Sequence, residues 1–567
     1  MSYREKYQEW LNNDYFDQET KEELKSIADD EAEIEDRFYT GLEFGTGGIR
    51  GVIGTGTNRI NKYIIRQATQ GLANNILQQS KLAKEQGVVI AHDSRFKSRE
   101  FALEAAAVLN GNGIKAYLFD ELRPTPELSF AVRELDAVAG IVITASHNPP
   151  EYNGYKVYWS DGGQIVPKRA EGITAEIDQI TDYSVIEYLE REVAEERGLF
   201  EIIGSEIDDK YITELKSLIS NPEVIDKEES DFKIIYTPLH GSGNKLVPRA
   251  LKEIGFSNLQ VVPQQEEPDP EFPTVDYPNP EEESVFELAL EMAEEEEPDL
   301  ILGTDPDADR LGLLLRRGDQ YISLTGNQIG VLLMDYLLSQ KAEADELPAN
   351  GAVVKTIVTT ELARAIADEY GVEVIDTLTG FKFIGEKIKE FQQQGDQEFL
   401  FGFEESYGYL AGTFVRDKDA VMAATLVAEM AAYYKNKGLD LFQQLENLMD
   451  KYGYYLDDLE SILLKGKEGQ EKIEKILDTL RRESLNQING KRVTEVKDYL
   501  TGIGDLPEAN VLQFDLEDNS RLTVRPSGTE PKIKFYFTAV GENWNEAEDK
   551  LEALKDELLS KVQQIIE

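Results

Sequence analysis

A repeated unit of apolar strand, loop and amphipathic helix restricts the fold of this chain more than any other feature. One copy runs from the strand GVVIAHDSR at 87–95 through a helical segment at 99–113 to the strand IKAYLFD at 114–120. A second copy begins with AVVKTIVTT at 352–360 and continues through a helix to EVIDTLTG at 373–380. Near-continuous apolar strands that alternate with helices are typical of parallel sheets covered on both faces. The pattern predicts an α/β fold over most of the 567 residues.

The pattern changes close to the C-terminus. Apolar and polar side chains alternate in 511–527 on both sides of an Asp518-Asn519 turn, and they alternate again in 532–540. An amphipathic helix follows at about 545–565. Alternation by two indicates half-buried strands, so a small antiparallel α+β domain is predicted here.

Composition excludes several classes of protein. The 109 Asp and Glu residues outnumber the 59 Lys and Arg residues and give a formal charge of −50, which repels nucleic-acid phosphates and anionic lipid. Cysteine is absent and only three histidines occur, so we expect neither disulfides nor thiolate or histidine-rich metal sites. The first residues are charged and lack the apolar core of a signal peptide, and a cytoplasmic protein is predicted.

The acidic residues are spread along the whole chain rather than gathered in a tail. Molar salt shortens the electrostatic screening length to about 3 Å, so that a protein tolerates many charges of the same sign. We therefore hypothesise adaptation to a salt-accumulating cell. A generally acidic protein in ordinary cytoplasm is the alternative.

Three aspartates at alternate positions follow the strand LIL in GTDPDADRLG. An extended loop can turn Asp305, Asp307 and Asp309 toward one point, and such a density of hard oxygen ligands suits Mg²⁺. An EF-hand is excluded, because arginine stands where that loop requires a glycine and a glutamate. Arg310, beside the carboxylates, suits a phosphoryl oxygen. A solvated acidic turn is the alternative.

The segment ITASHNPPEYNGYKVY brings Ser146 and His147 into a loop directly after an apolar strand. A serine so placed can act as a nucleophile, although the hydrolase motif G-x-S-x-G is absent. Lys156 follows among aromatic residues, where we expect partial burial to lower its pKa toward acid–base chemistry. An ordinary proline-rich turn is the alternative.

Two further loops carry polar groups. GFEESYGY places Glu404 and Ser406 between glycines, where their oxygens can accept hydrogen bonds from sugar hydroxyls; a solvated loop is the alternative. VRPSGTEPK offers a guanidinium fork, two hydroxyls and a glycine that lets backbone N–H groups converge, namely Arg525, Ser527, Thr529 and Gly528. That set suits a phosphate, with a plain β-turn as the alternative.

FGTGGIRG adds a glycine-rich loop with Arg50, which fits neither the Walker A motif nor the dinucleotide-binding fingerprint. Taken in order, FGTGGIRG, TASHNP, DPDADR, GFEESYG and RPSGTEPK resemble the motifs of the α-D-phosphohexomutase superfamily, and within it those of the phosphoglucomutase/phosphomannomutase family. The resemblance extends over nearly the whole chain.

This resemblance implies three α/β/α domains with mixed, largely parallel sheets and a C-terminal α+β domain, similar to TATA-binding protein, around a central cleft. We expect a helical extension over about 1–40. The expected domains span residues 1–205, 206–325, 326–455 and 456–567.

The resemblance also implies roles for individual residues. Ser146 carries the phosphoryl group, and a phosphoserine oxygen joins Asp305, Asp307 and Asp309 as a ligand of Mg²⁺. The loop with Glu404 and Ser406 recognises the sugar. The loop that binds the non-reacting phosphate contains Arg525, Ser527, Gly528 and Thr529. Further residues near the reaction centre are Arg50, His147, Lys156, Arg310 and Lys382.

The implied reaction interconverts α-D-glucose 1-phosphate and glucose 6-phosphate through glucose 1,6-bisphosphate, with sugar phosphates as the only expected partners of a monomer or homodimer. Lys156 is the expected proton acceptor, with Lys382 or His147 as alternates. Gly47 stands where many members carry serine, and GFEESYG lacks the Ser-Gly-His ending of phosphomannomutase-type members. The alternatives are phosphomannomutase or phosphopentomutase activity, a metal-dependent sugar phosphatase and a non-catalytic sugar-phosphate sensor.

Overall fold

A computed structural model describes residues 1–79, 82–228, 232–464, 466–483, 485–527 and 532–566. The chain divides into two compact units. The first unit comprises 1–324, 384–394 and 407–436. The second unit comprises 325–383, 395–406 and 437–567.

Three short helices begin the first unit: α1 (Tyr3–Asn12), α2 (Gln18–Ser26) and α3 (Glu31–Phe38). Each follows a residue whose side-chain oxygen accepts a hydrogen bond from a backbone N–H of the first turn, namely Ser2, Asp17 and Asp30. Their buried aromatic side chains pack with Tyr63 in a cluster of their own.

The next region forms a six-stranded sheet with helices. Its strands are β1 (Gly48–Val52), β2 (Val88–His92), β3 (Ala116–Phe119), β4 (Ala139–Ile143), β5 (Tyr152–Trp159) and β6 (Phe200–Ile203), in the spatial order β1-β5-β4-β2-β3-β6. Its helices are α4 (Lys62–Gln79), α5 (Ala83–Gln86), α6 (Ser98–Gly111), α7 (Thr125–Glu134), α8 (Pro167–Asp178) and α9 (Arg191–Glu196). Strands β4, β2, β3 and β6 are parallel, whereas β5 pairs antiparallel with β4 on one side and with the edge strand β1 on the other.

A second mixed sheet follows in the same unit. Its strands are β7 (Ile234–Thr237), β8 (Leu259–Val261), β9 (Leu300–Thr304), β10 (Leu311–Arg317) and β11 (Gln320–Ser323), in the order β11-β10-β9-β7-β8. The helices are α10 (Ser205–Ser217), α11 (Pro222–Glu228), α12 (Gly243–Ile254), α13 (Pro263–Glu266) and α14 (Glu287–Glu296). Because β9 and β7 are mostly apolar and fully buried, this sheet has the covered faces that the sequence pattern predicts.

A third α/β region continues the chain. Its strands are β12 (Gly351–Thr356), β13 (Glu373–Thr377), β14 (Glu398–Glu404) and β15 (Gly408–Ala411). Its helices are α15 (Gly326–Glu343), α16 (Leu362–Tyr370), α17 (Phe381–Gln394), α18 (Ala420–Asn436) and α19 (Leu441–Tyr452). In the second unit, β12 pairs in parallel with β13 on one side and with β14 on the other. Gly371 ends α16 in the left-handed conformation, at φ 67°, which a residue without Cβ adopts readily.

The last sheet is antiparallel throughout. Its strands are β16 (Tyr454–Leu463), β17 (Gln487–Ile488), β18 (Lys491–Asp498), β19 (Leu512–Leu516), β20 (Arg521–Pro526) and β21 (Lys532–Gly541), in the order β16-β21-β20-β19-β18-β17. Helices α20 (Gly466–Arg482) and α21 (Trp544–Ile566) complete it, with α21 packed on β21. The β19–β20 turn contains Asn519 at φ 65°, as the predicted Asp518-Asn519 turn requires.

The predicted fold class is confirmed: α/β regions with mixed, largely parallel sheets precede a C-terminal α+β region. Single turns of 3₁₀ helix occur at Tyr183–Val185, Glu283–Phe286 and Tyr499–Thr501. Among the described residues, none of the helices has both the length and the apolar character needed to cross a bilayer.

Candidate functional site

The three aspartates predicted to hold a cation lie in the turn between β9 and β10. All three are buried, and one carboxylate oxygen from each lies within 4.8 Å of the others. The turn closes tightly because Ala308 adopts φ 50° and its N–H donates to the carbonyl of Asp305. The N–H groups of Asp309 and Arg310 both donate to Oδ1 of Asp305 at 3.0 Å. Alternate positions in the sequence therefore converge on one point.

The aspartate cluster fits a hard divalent cation. Oδ1 of Asp307 and Oδ1 of Asp309 are buried, and neither has a hydrogen-bond partner among the residues that the structure describes. Buried polar atoms are rarely left without a partner, and a cation among the carboxylates would provide one. A set made only of carboxylate oxygens suits Mg²⁺ better than a softer metal.

Two lysines offset the charge of this cluster. Nζ of Lys156 lies 2.7 Å from Asp307 and 3.4 Å from Asp309, and Nζ of Lys418 lies 3.1 Å from Asp309. Burial disfavours the charge of Asp307, but Lys156 and the hydrogen bonds of the carboxylate outweigh burial and hold its pKa well below the usual range. Burial, then repulsion by Asp307 and Asp309, raises the pKa of Asp305 well above its usual range.

The same ion pairs correct one expectation. Burial alone would lower the pKa of Lys156, but Asp307 and Asp309 outweigh burial and raise it. The predicted lowering of the Lys156 pKa is therefore wrong, because the sequence does not reveal which carboxylates lie next to the ammonium group. In this structure Lys156 is a cation.

Ser146 lies beside the aspartates, in the loop between β4 and β5. Its hydroxyl donates a hydrogen bond of 2.7 Å to Oδ2 of Asp305, and the side chain is buried. Nδ1 of His147 is 3.2 Å from the same hydroxyl oxygen. Burial, followed by repulsion from Arg310 and Arg50, holds the pKa of His147 well below its usual value. The expected nucleophile thus adjoins the expected cation site and a neutral imidazole.

Two arginines flank these groups. Nη1 of Arg50, on β1, donates to Oδ1 of Asn148 at 3.0 Å and so reaches the serine loop. Arg310 forms an ion pair with Glu281, and its Nε lies 4.0 Å from Asp309. A phosphoryl oxygen at Arg310 would have to compete with Glu281.

The predicted sugar- and phosphate-binding residues belong to the second unit. Glu404 ends β14 and is buried, and its Oε1 accepts a hydrogen bond of 2.8 Å from the N–H of Gly380. Ser406 is half-buried in the following turn. Lys382 lies in the first turn of α17, with Nζ 5.5 Å from the centre of the Phe383 ring.

The predicted phosphate loop follows β20. Arg525 is half-buried near the end of that strand, and the N–H of Ser527 donates to the carbonyl of Lys532 at 2.8 Å. Gly528 and Thr529 lie outside the described residues.

Sequence reasoning missed three residues that contact these groups: Arg95, Thr125 and Lys418. The N–H and hydroxyl of Thr125 donate to the carbonyl and Oδ2 of Asp307, at 2.9 and 3.0 Å. Arg95 and Thr125 each come shortly after a strand of the first sheet, and ligands of α/β sheets bind at the carboxyl ends of parallel strands. A search of polar residues just after each strand would have found Arg95 and Thr125, whereas Lys418 precedes a helix and carries no such signal.

Four family models match the chain. They are the three α/β/α domains of phosphoglucomutase/phosphomannomutase, matched by residues 41–184, 209–318 and 325–452, and its C-terminal domain, matched by residues 462–555. Each of the predicted motifs that carry chemistry falls inside one of these ranges.

Known proteins resemble the chain over most of its length. A phosphoglucomutase of Staphylococcus saprophyticus is 38% identical over 563 residues, covering 96% of this chain and 98% of the relative. A phosphoglucomutase of Staphylococcus aureus is 37% identical over 545 residues, covering 94% and 96%. Among solved structures, the open form of parafusin, a phosphoglucomutase from Paramecium, has a TM-score of 0.71 at 18% identity, covering 93% of this chain and 96% of that one. A phosphoglucomutase/phosphomannomutase family protein from Burkholderia thailandensis has a TM-score of 0.67 at 19% identity, covering 92% and 97%.

Proposed function

The chain belongs to the phosphoglucomutase/phosphomannomutase family, and we propose that it is an intramolecular phosphotransferase that interconverts α-D-glucose 1-phosphate and glucose 6-phosphate. One observation carries this proposal: the hydroxyl of Ser146 donates to Asp305 within a buried group of three aspartates. A nucleophile and a candidate cation site side by side are the arrangement that phosphoryl transfer needs.

In the proposed reaction, phosphorylated Ser146 donates its phosphoryl group to the 6-hydroxyl of glucose 1-phosphate. The P–O bond to Oγ breaks, a P–O bond to the sugar oxygen forms, and the hydroxyl proton passes to a base. The resulting glucose 1,6-bisphosphate turns around and returns its 1-phosphoryl group to Ser146. The P–O bond to the sugar O1 breaks, a P–O bond to Oγ forms, and O1 takes the proton back from the base, which leaves glucose 6-phosphate. Most of the catalysis in such a transfer is positioning and charge stabilisation.

Asp305, Asp307, Asp309 and a phosphoryl oxygen on Ser146 are the proposed ligands of Mg²⁺. When bound, the ion supplies Lewis-acid stabilisation of charge on phosphoryl oxygens. The chain supplies cations of its own, since Lys156 and Lys418 already lie against these carboxylates. Thr125 fixes the orientation of Asp307 by two hydrogen bonds.

Lys156 remains the proposed proton acceptor, with Lys382 and His147 as alternates. An ammonium group must release its proton before it can act as a base, so this role requires that the ion pairs of Lys156 with Asp307 and Asp309 first be broken. The pH dependence of kcat in Lys156→Arg, Lys382→Arg and His147→Gln variants distinguishes the three. Only removal of the true base should abolish the limb of the profile that rises with pH.

Glu404 and Ser406 are proposed to bind the sugar hydroxyls, because carboxylate and hydroxyl oxygens accept the hydrogen bonds that these groups donate. The loop with Arg525, Ser527, Gly528 and Thr529 is proposed to bind the phosphate that is not reacting. Its arginine fork can bind a phosphate in either sugar orientation, which the two half-reactions require.

The test is a coupled assay of the 1-phosphates of glucose, mannose and ribose, with Mg²⁺ and a trace of glucose 1,6-bisphosphate. We expect the highest kcat/KM with glucose 1-phosphate and no equivalent release of inorganic phosphate. Ser146→Ala should abolish turnover and phosphorylation of the protein. Ser217→Ala, on α10, is the matched control and should keep both. Release of one phosphate per substrate consumed would indicate a phosphatase, and turnover by Ser146→Ala would refute the phosphoserine.

Adaptation to a salt-accumulating cytoplasm is proposed from the charge of −50. Mutual repulsion among surface carboxylates weakens as salt shortens the screening length. We expect the melting temperature and kcat to rise between low and molar KCl. Equal values at both concentrations would contradict this adaptation.

A further inference from the structure

Arg95 is a fully buried arginine that binds the backbone of the serine loop. Its Nη1 donates to the carbonyl oxygens of Pro149 at 2.7 Å and Tyr152 at 3.2 Å. Its Nη2 donates to the carbonyl oxygens of Ser146 at 2.5 Å and Asn148. One guanidinium group thus donates to four carbonyls within residues 146–152, the serine loop and the first residue of β5.

The guanidinium group is itself held in place. Nε of Arg95 lies 3.3 Å from Oδ2 of Asp93, and both side chains are fully buried. Oδ1 of Asp93 accepts hydrogen bonds from the N–H of Arg95 at 2.9 Å and from the hydroxyl of Ser98 at 2.6 Å. The ring of Phe272 lies 4.9 Å from Cζ of Arg95. The arginine therefore presents a rigid set of donors to the loop.

Ser146 needs such support because of its backbone. Its φ of 54° is in the left-handed region, which is unfavourable for a residue with a Cβ. Such conformations persist only where the surroundings impose them. The N–H of Ser146 donates to Oγ1 of Thr144 at 2.8 Å, and its carbonyl is held by Arg95. Both sides of the residue are fixed, and the hydroxyl is directed at Asp305.

We propose that Arg95 is a positioning residue for phosphoryl transfer: it keeps Ser146 in the left-handed conformation that directs Oγ toward the aspartates. The proposal deepens the proposed function and rests on it. Lysine cannot replace the arginine, because its three N–H groups share one nitrogen, whereas four of the arginine's five are arranged as a planar fork. The arginine acts through the serine and touches no reacting atom.

The test is Arg95→Lys in the full chain, which keeps the charge and removes the fork. We expect kcat to fall by about 100-fold, the loss that follows a small displacement of a reacting group, while KM for glucose 1-phosphate stays unchanged. We expect a similar loss in the single-turnover rate at which glucose 1,6-bisphosphate phosphorylates Ser146, followed by intact mass. A merely structural role would lower the melting temperature without a selective effect on these rates.

Arg59→Lys is the matched control. Arg59 is buried in the same unit and donates to the carbonyl of Asn58 at 3.0 Å and to Asp36 at 2.6 Å. A folded Arg95→Lys enzyme whose kcat falls by less than about tenfold, or by no more than in Arg59→Lys, overturns the proposal.

If Arg95→Lys does not fold, Asp93→Asn is tested in its place. This substitution removes the charge that pairs with the guanidinium group of Arg95 and keeps the shape of the side chain at position 93. The same selective loss of kcat supports the proposal, and an unchanged kcat overturns it. Absence of mutase activity in the parent chain would instead refute the proposed function. Normal activity of the parent and of Arg95→Lys would refute only the role of Arg95.

Discussion

Lys156→Met tests the electrostatic balance of the aspartate cluster. In the parent, Nζ of Lys156 lies 2.7 Å from Asp307 and 3.4 Å from Asp309, and both carboxylates are buried. The substitution keeps most of the side-chain volume and removes the charge. Asp307 then loses its nearest cation, and Asp309 loses one of two and keeps Lys418 at 3.1 Å.

Removal of one partner of a buried ion pair costs about 3–5 kcal/mol, because the other charge stays buried without compensation. At about 2 °C per kcal/mol, the smaller value of the usual range because the first unit is large, the expected fall in melting temperature is about 6–10 °C. Lys210→Met is the control, since Lys210 pairs with Glu134 at 2.5 Å on the exposed surface. An exposed pair contributes at most about 1 kcal/mol, or about 2 °C.

The assay is scanning calorimetry in EDTA, repeated with Mg²⁺. A cation that binds only the folded state raises the melting temperature, and Mg²⁺ should raise it more in Lys156→Met than in the parent, because the ion neutralises the carboxylates that the lysine no longer neutralises. A fall in EDTA no larger than that of Lys210→Met would refute the electrostatic reasoning. No rise with Mg²⁺ in either protein would refute the cation site, and an equal rise in both would refute its coupling to Lys156.

Three further predictions concern other groups. Asp307→Asn should weaken Mg²⁺ binding by more than about tenfold, because even a lost outer partner of a ligand costs that much; unchanged affinity in a calorimetric titration would contradict the site. Arg525→Ala should lower kcat/KM by about 10- to 150-fold, the equivalent of about 1.5–3 kcal/mol for a hydrogen bond to a charged group, and an unaltered kcat/KM would exclude that loop from catalysis. Burial raises the pKa of Asp419 from 3.8 to about 6, so the folded state keeps this proton to a higher pH than the unfolded state, and the stability it contributes is present below pH 3.8 and lost as the pH rises to about 6. In the Asp419→Asn variant, the decline in the free energy of unfolding across that interval should therefore be smaller by about 3 kcal/mol. Urea titrations at pH 4 and pH 7 measure this decline, and an equal decline in both proteins would contradict the prediction.

Local sequence patterns were enough to predict the fold class and the loops that carry the candidate site residues. The apolar run of β9 predicted a strand buried on both faces, and the alternation by two in 511–527 predicted the antiparallel strands β19 and β20. Both signals come from neighbouring residues. The aspartate cluster was also predicted from the alternate positions of its residues, although a tight turn at Ala308 and not an extended segment brings the carboxylates together.

Contacts between residues that are distant in the sequence were decided by the tertiary structure alone. Asp305 and Ser146 are 159 positions apart, and Lys156 and Asp307 are 151 apart. The pKa of Lys156 rises rather than falls because desolvation and Coulomb attraction oppose each other, and their balance depends on distances that tertiary packing sets. The same holds for Arg95: a single arginine after a strand is an ordinary residue until packing brings four carbonyls of another loop within reach of its N–H groups.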